Sequence, residues 1–597
     1  MTTSLEHRGA SYLFQDAGPE EITTPEDMDE EQRMMMKSIR DFAEQEVMPV
    51  IDEVNARNID VVRPLFKKAA DLGIYMAEVP EEYGGLGLGV LGIAGMMESR
   101  SYLGSLSSTV FAHQGIGSLP LINFGTQEQV DKYLEPLMTG EMMAAFALTE
   151  PSSGSDAMNI KSTATLNEAG THYIVNGSKQ WITNAGWADL FILFAKVDGQ
   201  QFTAFLMERG FGGVNVQKNE DLLGIRGSSV CAIILEDVPI PVENVLGEVG
   251  KGHLVALCTL NLGRMKMATN CVGGGKNALI VAAKYAKERF SQGNPIAEFG
   301  IIQQKLADMA MRLYASQSAA YRTAGHVYHA IEAMGEEEKK TVDAKLKAMA
   351  EFSIECAFSK THGSEMVNIL ADHALQIHGG YGYSEEYEPA KMFRDWRISR
   401  IYEGTSEICR LSSMKAMFRK ARRGELDMES AIQSVAKSDR SDSSQGVGDD
   451  LTSLHSQVLE FKYIFAYLMG IVLERVGEEA LTSNENQQYL HSLADIAIEI
   501  YVTESTVLRV LKLNAHQTDR NTELPEALAR LYFEYSADRI RQEATEIASD
   551  LFDGDQLREE LSTINAWLPL PTKRFDLRKY VAETVVEAQG ALPEYQN

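Results

Sequence analysis

The spacing of apolar residues changes along the chain and divides it into four stretches. In the first, residues 1–143, apolar positions recur every three or four residues from about 26 onward. EEQRMMMKSIRDFAEQEVMPVIDEV and VDKYLEPLMTG are examples, and they predict amphipathic helices. The second of these runs into Gly140, a helix stop that accepts positive φ. Over 144–245 the period drops to two. HYIVNGSKQWIT and LFILFAKVDGQQFTAFLMER alternate around Asn176-Gly177 and Asp198-Gly199. Such dipeptides favour tight hairpin turns, where both turn positions need positive φ. SSVCAIILEDVPIP adds a strand closed by prolines. The strands together predict a small β-barrel or sandwich. Over 246–430 the helical period returns in NLGRMKMATNCVGGGKNALIVAAKYAKERF and IIQQKLADMAMRLYASQSAAYRTAGHVYHAIEAM, long segments with few turns that predict a bundle. In the last stretch, 431–597, the polar run SDRSDSSQGVGDD at 438–450 reads as a linker or mobile loop, and helical spacing resumes after it. The predicted fold class is mainly α with a central β domain: a helical domain, a β domain, a helical bundle and an added helical domain.

A chain of 597 residues is too long for one core. The formal charge of −29 repels nucleic acid and anionic membrane, so neither is an expected partner. The N-terminus lacks a basic start followed by an apolar core, so no secretory leader is read there. No run of 18 or more uninterrupted apolar residues predicts a membrane span. Cys231, Cys258, Cys271, Cys356 and Cys409 are scattered, without metal-ligand spacing. An odd, dispersed set suits a reducing compartment, and a cytoplasmic protein is expected, with at most a loose peripheral contact to membranes.

Four segments offer chemistry. In FALTEPSSGSD, residues 146–156, Pro151 and Gly154 turn the chain among hydroxyls, so that backbone N–H groups can meet an anion or a polar ring edge. In KQWITNAG, residues 179–186, Trp181 and Thr183 share a strand face and offer a flat aromatic beside a hydroxyl. QIHGGYGYSEEY, residues 376–387, has glycines that permit close backbone approach to a ligand. It follows a helix instead of opening one after a strand, so it is not a dinucleotide fingerprint. In RDWRISRIYEGTSEI, residues 394–408, Glu403 sits in a mostly apolar run where desolvation would suit it to general-base work. Each has an ordinary alternative when taken alone: a loop, a core tryptophan, a helix stop, a solvated turn glutamate. Gly115 and Gly117 likewise read either as room in a deep pocket or as a helix break.

Taken in order, FALTEPSSGSD, KQWITNAG, NLGR at 261–264, KERFSQGNPIAEFGIIQQKLADM at 287–309, QIHGGYGYSEEY and RIYEGTSEI resemble the acyl-CoA dehydrogenase family. The likeness covers about residues 30–425, and the further C-terminal helices make the chain similar to the very-long-chain branch. The resemblance implies FAD as cofactor and oxidation of a long-chain acyl-CoA to its trans-2-enoyl form. Glu403 would take the α-proton, and the β-hydride would pass to flavin N5. It implies that Phe146, Leu148, Thr149 and Ser155 touch flavin, FAD phosphates or CoA, that Trp181 shields the ring, and that Thr183 hydrogen-bonds N5. By the same match Asn261 and Arg264 contact acyl-CoA. Arg289, Gln376, Gly379 and Gly380 serve the FAD pyrophosphate region, Thr405 is a second cofactor contact, and Gly404 lets the thioester approach. Gln292 and Gly300 depart from the family pattern on the adenosine side. An electron-transfer flavoprotein is the implied acceptor and a homodimer the implied assembly. Two rivals make different predictions: an acyl-CoA oxidase would consume oxygen without a dye, and a scaffold on a retired fold would bind no flavin.

Overall fold

The computed structural model describes residues 8–339, 341–437, 451–516 and 522–592; the segment read as a linker at 438–450 lies outside them. The four stretches pack as two compact units. One is built from 29–266 with 336–346, the other from the described residues of 1–28, 267–335 and 347–597.

The first unit opens with helices α1 (Glu30–Phe42), α2 (Ile59–Asp71), α3 (Val90–Arg100) and α4 (Gln127–Met138). Their starts follow from capping chemistry. Asp29 accepts from Gln32 N at 2.8 Å while the Gln32 amide reaches back to Asp29 N. Thr126 and Gln129 make the same reciprocal pair at α4, and Gly140, at φ 70°, follows that helix as expected. Met36, Ile39 and Phe42 of α1 and Val62, Leu65 and Phe66 of α2 are buried.

The β region supplies β1 (Ala144–Ala147), β2 (Thr163–Leu166), β3 (His172–Thr183), β4 (Leu190–Val197), β5 (Gln201–Glu208), β6 (Val214–Asn219), β7 (Val230–Pro241) and β8 (Val245–Leu246). They form one eight-stranded sheet in the order β6-β7-β3-β2-β4-β5-β8, with β1 parallel to β4. Strands β4 and β5 are buried on both faces, which explains why LFILFAKV is a near-continuous apolar run. One face, with Phe191, Leu193 and Phe205, joins the sheet core. The other, with Ile192, Phe194 and Leu206, packs against Tyr133, Leu134 and Leu137 of α4.

Asp198-Gly199 turns the chain between β4 and β5 as predicted, with φ of 51° and 72°. Asn176-Gly177 does not. Both residues lie inside β3, where the register against β7 shifts between Val175 and Gly177. The reason is a close approach: a Cβ on Gly177 would stand 2.2 Å from Ser162 Oγ and 2.8 Å from Ser162 Cα. The glycine is therefore spent on a bulge, and Asn176 exchanges hydrogen bonds with Asp237 across it. Gly115 and Gly117 also serve packing. Added Cβ atoms would meet the Phe111 ring at 2.9 Å and Ala144 Cβ at 2.7 Å.

The second unit contains α5 (Gly252–Glu288) from residue 267 onward, α6 (Gly300–Glu332), α7 (Ser353–His378) and α8 (Ser406–Arg422). It also contains α9 (Leu451–Arg475), α10 (Gln487–His516), α11 (Glu523–Leu551), α12 (Gly554–Trp567) and α13 (Phe575–Glu587). One apolar core runs through them, from Leu313 and Leu370 to Phe461, Ile500 and Leu528. Helix α9 is long and apolar enough to cross a membrane by length and composition, and just over half of its most apolar window is buried in this core. Residues 8–28, which carry no periodic signal, lie along the added helices. Tyr12 Oη donates to Ala497 O at 3.0 Å, and Lys462 Nζ donates to Gln15 O at 2.6 Å.

Candidate active site

In the first unit, the FALTEPSSGSD segment leaves β1 and turns sharply. Glu150 and Ser153 exchange backbone hydrogen bonds at 3.0 and 3.1 Å, which leaves Ser155 exposed beyond the turn. Phe146 packs edge-on to Phe194 at 5.0 Å, Leu148 is buried, and Thr149 is half-buried. The Thr149 carbonyl accepts from Gln180 N at 2.9 Å, tying this segment directly to KQWITNAG. A second tie lies beneath it. Lys179, fully buried, donates to Glu150 Oε1 at 2.7 Å, and the same carboxylate accepts from Ser162 Oγ at 2.6 Å and Lys161 N at 2.5 Å. Burial alone would raise the Glu150 carboxyl, but Lys179 and these hydrogen bonds hold it below the usual range.

Trp181 and Thr183 flank the buried Ile182 at the end of β3, where a register shift between Lys179 and Ile182 and the left-handed backbone of Trp181 interrupt the alternation on which the expected shared face rested. Trp181 has φ 56° and is 59% exposed, an uncommon state for so large an apolar surface. The bend is held by Asn184, fully buried with φ 69°, whose amide donates to Thr109 O at 2.9 Å and Ala144 O at 3.3 Å. Arg209 Nε donates to Ala188 O at 2.5 Å. The start of β1 is fixed by His113, whose Nδ1 accepts from Ala144 N at 3.0 Å, leaving Nε2–H to donate to Leu137 O at 3.0 Å. Burial pushes this imidazole down to about 3, so it is neutral at ordinary pH. Asn261 and Arg264 sit one turn apart on α5, with Arg264 Nη1 donating to Asn261 Oδ1 at 3.1 Å.

In the second unit, Arg289, Gly379 and Gly380 line one open groove of about 630 Å³ with Tyr285, His378 and Tyr381. A Cβ on either glycine would meet nothing within 4 Å, and Gly379 has φ 58°. Arg289 stands 5.7 Å over the Tyr381 ring. Arg289 precedes a short hairpin, β9 (Phe290–Ser291) to β10 (Asn294–Pro295), whose turn is Gln292-Gly293 with φ of 52° and 88°. Gln292 thus occupies a position that demands a left-handed backbone. Gln376 is exposed one turn earlier on α7 and does not line the groove; its carbonyl caps the helix by accepting from Gly379 N.

Glu403 is partly buried and has φ 56°; Gly404 follows at φ 91°. A glutamate in the left-handed region costs of the order of 1–2 kcal/mol and persists only where its surroundings fix it. Lys360, fully buried on α7, donates to Gly404 O at 2.6 Å, and Cys409 Sγ lies 3.6 Å from the same oxygen. Thr405 is the N-cap of α8, its hydroxyl accepting from Ile408 N at 3.2 Å. The first unit supplies an exposed indole and, two residues on, a hydroxyl; the second supplies a held carboxylate at a helix start and an arginine beside a glycine cradle. These groups suit a planar heterocycle, a base and a phosphate respectively.

Several supporting residues were not singled out from the sequence. Lys179 had no usable signal, because strict alternation would put it on one face with Trp181, and the register shift between Lys179 and Ile182 separates the buried lysine from the exposed indole. Asn184, His113 and Lys360 had none strong enough, since a buried partner is not visible in local spacing.

Comparison with known proteins places these segments in context. Family models described as the acyl-CoA dehydrogenase N-terminal, middle and C-terminal domains match residues 29–141, 145–238 and 250–418. A further model, also described as an acyl-CoA dehydrogenase C-terminal domain, matches 460–566. A probable acyl-CoA dehydrogenase of Bacillus subtilis is 40% identical over 558 residues, 93% of each chain. The human mitochondrial very long-chain specific acyl-CoA dehydrogenase is 37% identical over 399 residues, 65% of this chain and 58% of that one. A crystal structure of an acyl-CoA dehydrogenase complexed with FAD from Bacillus anthracis superposes with a TM-score of 0.94 at 39% identity, covering 98% of this chain and 99% of that one.

Proposed function

The chain belongs to the acyl-CoA dehydrogenase family, and on that footing we propose that it oxidises long-chain fatty acyl-CoA to trans-2-enoyl-CoA, the first step of fatty acid β-oxidation, with Glu403 as the base. It is an oxidoreductase and its cofactor is FAD. The observation that carries the reading is Glu403 itself: a carboxylate held in a costly left-handed backbone by Lys360 and by the cap of α8.

The residues present fit the cofactor. Trp181 offers an exposed flat face and Thr183 a neighbouring hydroxyl for the flavin ring, and Arg289 with the open backbone of Gly379 and Gly380 suits a pyrophosphate. FAD, when bound, supplies the acceptor for the hydrogen leaving the β-carbon.

The α-proton of a thioester is a weak acid, so its removal needs a carboxylate within hydrogen-bond reach. Glu403 takes that proton, and Gly404, without a side chain, lets the thioester come close. The backbone N–H of Glu403 donates to the thioester oxygen as negative charge builds there. Asn261 and Arg264 hold the CoA portion, a local cation for an anionic substrate in a chain of net charge −29.

Long-chain specificity is supported by the match to a relative named for very long chains. An electron-transfer flavoprotein as acceptor and a homodimeric assembly follow from the family resemblance, and light scattering that gave a tetramer would remove the second. The five buried free thiols suit a reducing compartment, so the proposed location is cytoplasmic.

Anaerobic addition of palmitoyl-CoA to the purified holoenzyme tests the reading. The flavin absorbance should bleach in the wild type, and bleaching should be about 10²–10⁴-fold slower in Glu403→Gln. Bleaching with short thioesters alone would keep the reaction and remove the chain-length assignment. A Glu403→Gln variant as fast as wild type would remove Glu403 as the base.

A further inference from the structure

The loop bearing Glu403 is bracketed by charged groups that the reaction itself does not use. Arg410, five residues into α8, is only 6% exposed. Its Nη1 and Nη2 donate to Oε1 and Oε2 of Glu365, on α7, at 2.7 and 2.9 Å, a two-pronged geometry. Its third donor, Nε, meets Asp495 Oδ1 on α10 at 2.6 Å. On the other side of the loop, Arg400 Nη2 lies 3.8 Å from Glu365 Oε1. Glu365 therefore binds a cation three residues before Glu403 and another seven residues after it. Asp495, 6% exposed, is itself held by Arg539 Nη2 at 3.6 Å and His491 Nδ1 at 3.7 Å.

We propose that Asp495, which lies in the added helical stretch, is a positioning residue for Glu403, acting through Arg410 and Glu365 to fix the 400–405 loop and the start of α8. The role of Glu403 as base rests on the functional reading above; the mechanical claim does not. Arg410 is buried and donates through each of its three nitrogens, twice to Glu365 and once to Asp495. Removing Asp495 leaves Nε–H desolvated without its acceptor, and the cheapest relief is movement of α8 toward water or toward Glu365. Such a movement carries the residues at the N-terminus of α8 with it. Misplacement of a reacting group by about 1 Å can cost about a hundredfold in rate. Lys360 and Glu365 both project from α7, so that helix holds the loop at Gly404 and at its two flanks, while Asp495 prevents Arg410 from turning away.

The test uses the full-length FAD-loaded protein as wild type, Asp495→Ala, Asp495→Leu and Arg410→Lys. Two quantities are read: amide hydrogen exchange of the 400–409 peptide against a control peptide in α13, and kcat and KM with palmitoyl-CoA. The proposal expects exchange at 400–409 to rise about tenfold in Asp495→Ala while the α13 peptide is unchanged, and kcat to fall about tenfold or more with KM within about twofold. Arg410→Lys, which keeps the charge and loses the fork, should behave alike, and combining it with Asp495→Ala should add little. If Asp495→Ala does not fold, Asp495→Leu, which also removes the acceptor but fills the volume, carries the same comparison. Unchanged exchange at 400–409 overturns the proposal, as does a uniform rise across both peptides, which would mark general destabilisation. A wild type that never bleaches with any thioester would refute the functional reading alone, because the exchange comparison still decides the clamp.

Discussion

At the scale of single residues, the site is built by buried polar side chains that the reaction never touches, and His113 is the one whose protonation makes a clear prediction. It is pinned between Leu137 O and Ala144 N, and a proton on Nδ1 would oppose Ala144 N–H. Burial, with Arg63 adding to it, lowers the imidazole from 6.5 to about 3. Below pH 6.5 the unfolded chain binds a proton that the folded chain refuses until about pH 3. Stability therefore falls with falling pH across that window, by about 1.4 kcal/mol per pH unit from this group. His113→Gln, whose amide can both donate and accept without gaining charge, should remove that slope; chemical denaturation at several pH values reads it. Lys360→Met makes a second prediction. It leaves Gly404 O without its donor at 2.6 Å, so kcat should fall, and stability should drop by about 1–3 kcal/mol, read from thermal and urea unfolding. The segments offered to substrate or cofactor could be named from the sequence only through their order along the chain, because each alone, such as Trp181 and Thr183 two apart at the end of a strand, has an ordinary alternative. The residues that hold them were not legible, because their partners are far away in the chain: 31 positions for His113 and Ala144, 44 for Lys360 and Gly404.

At the scale of elements, periodicity predicted type well and misjudged one use of glycine. The strand over 172–183 is real, but its register is broken twice, and Asn176-Gly177 spends its conformational freedom on one of those bulges instead of a turn. Local sequence could not separate the two, because the deciding contact, Ser162 against Gly177, comes from β2 and the residues before it. That contact makes a prediction. Ser162 is held on Glu150 by its N–H at 3.1 Å and its hydroxyl at 2.6 Å, so it cannot retreat freely. Gly177→Val should therefore destabilise by about 1–3 kcal/mol through overpacking, and should loosen the Glu150–Lys179 pair under the 146–156 segment. A shift of the urea midpoint with an unchanged m-value, together with weaker FAD retention, is the expected result. A variant with wild-type midpoint would mean that β2 moves aside without cost.

At the scale of the whole molecule, the longest-range device is the segment before α1, where residues more than 480 positions apart meet inside one unit. Two ion pairs there look alike in sequence and differ in energy. Arg509 is fully buried on α10; its guanidinium lies 4.2 Å over the Tyr314 ring, donates to Gln317 Oε1 at 2.9 Å, and meets Glu26 Oε1 at 2.6 Å. Lys512, one turn on, bonds Asp27 Oδ2 at 2.7 Å with Asp27 34% exposed. Truncating Glu26 takes a carboxylate away from a fully buried guanidinium, whereas truncating Asp27 lets water replace the carboxylate. Glu26→Ala should thus cost about 3–5 kcal/mol and Asp27→Ala at most about 1 kcal/mol, measured by urea unfolding of the holoenzyme. Glu26→Gln, which keeps hydrogen-bond acceptance without charge, should fall between them. Equal losses for the two alanine variants would mean that the segment is held by its apolar contacts, Ile22 against Leu508 among them, and not by the buried charge. The expected order instead makes the unperiodic opening of the chain a structural part of the unit that carries Glu403.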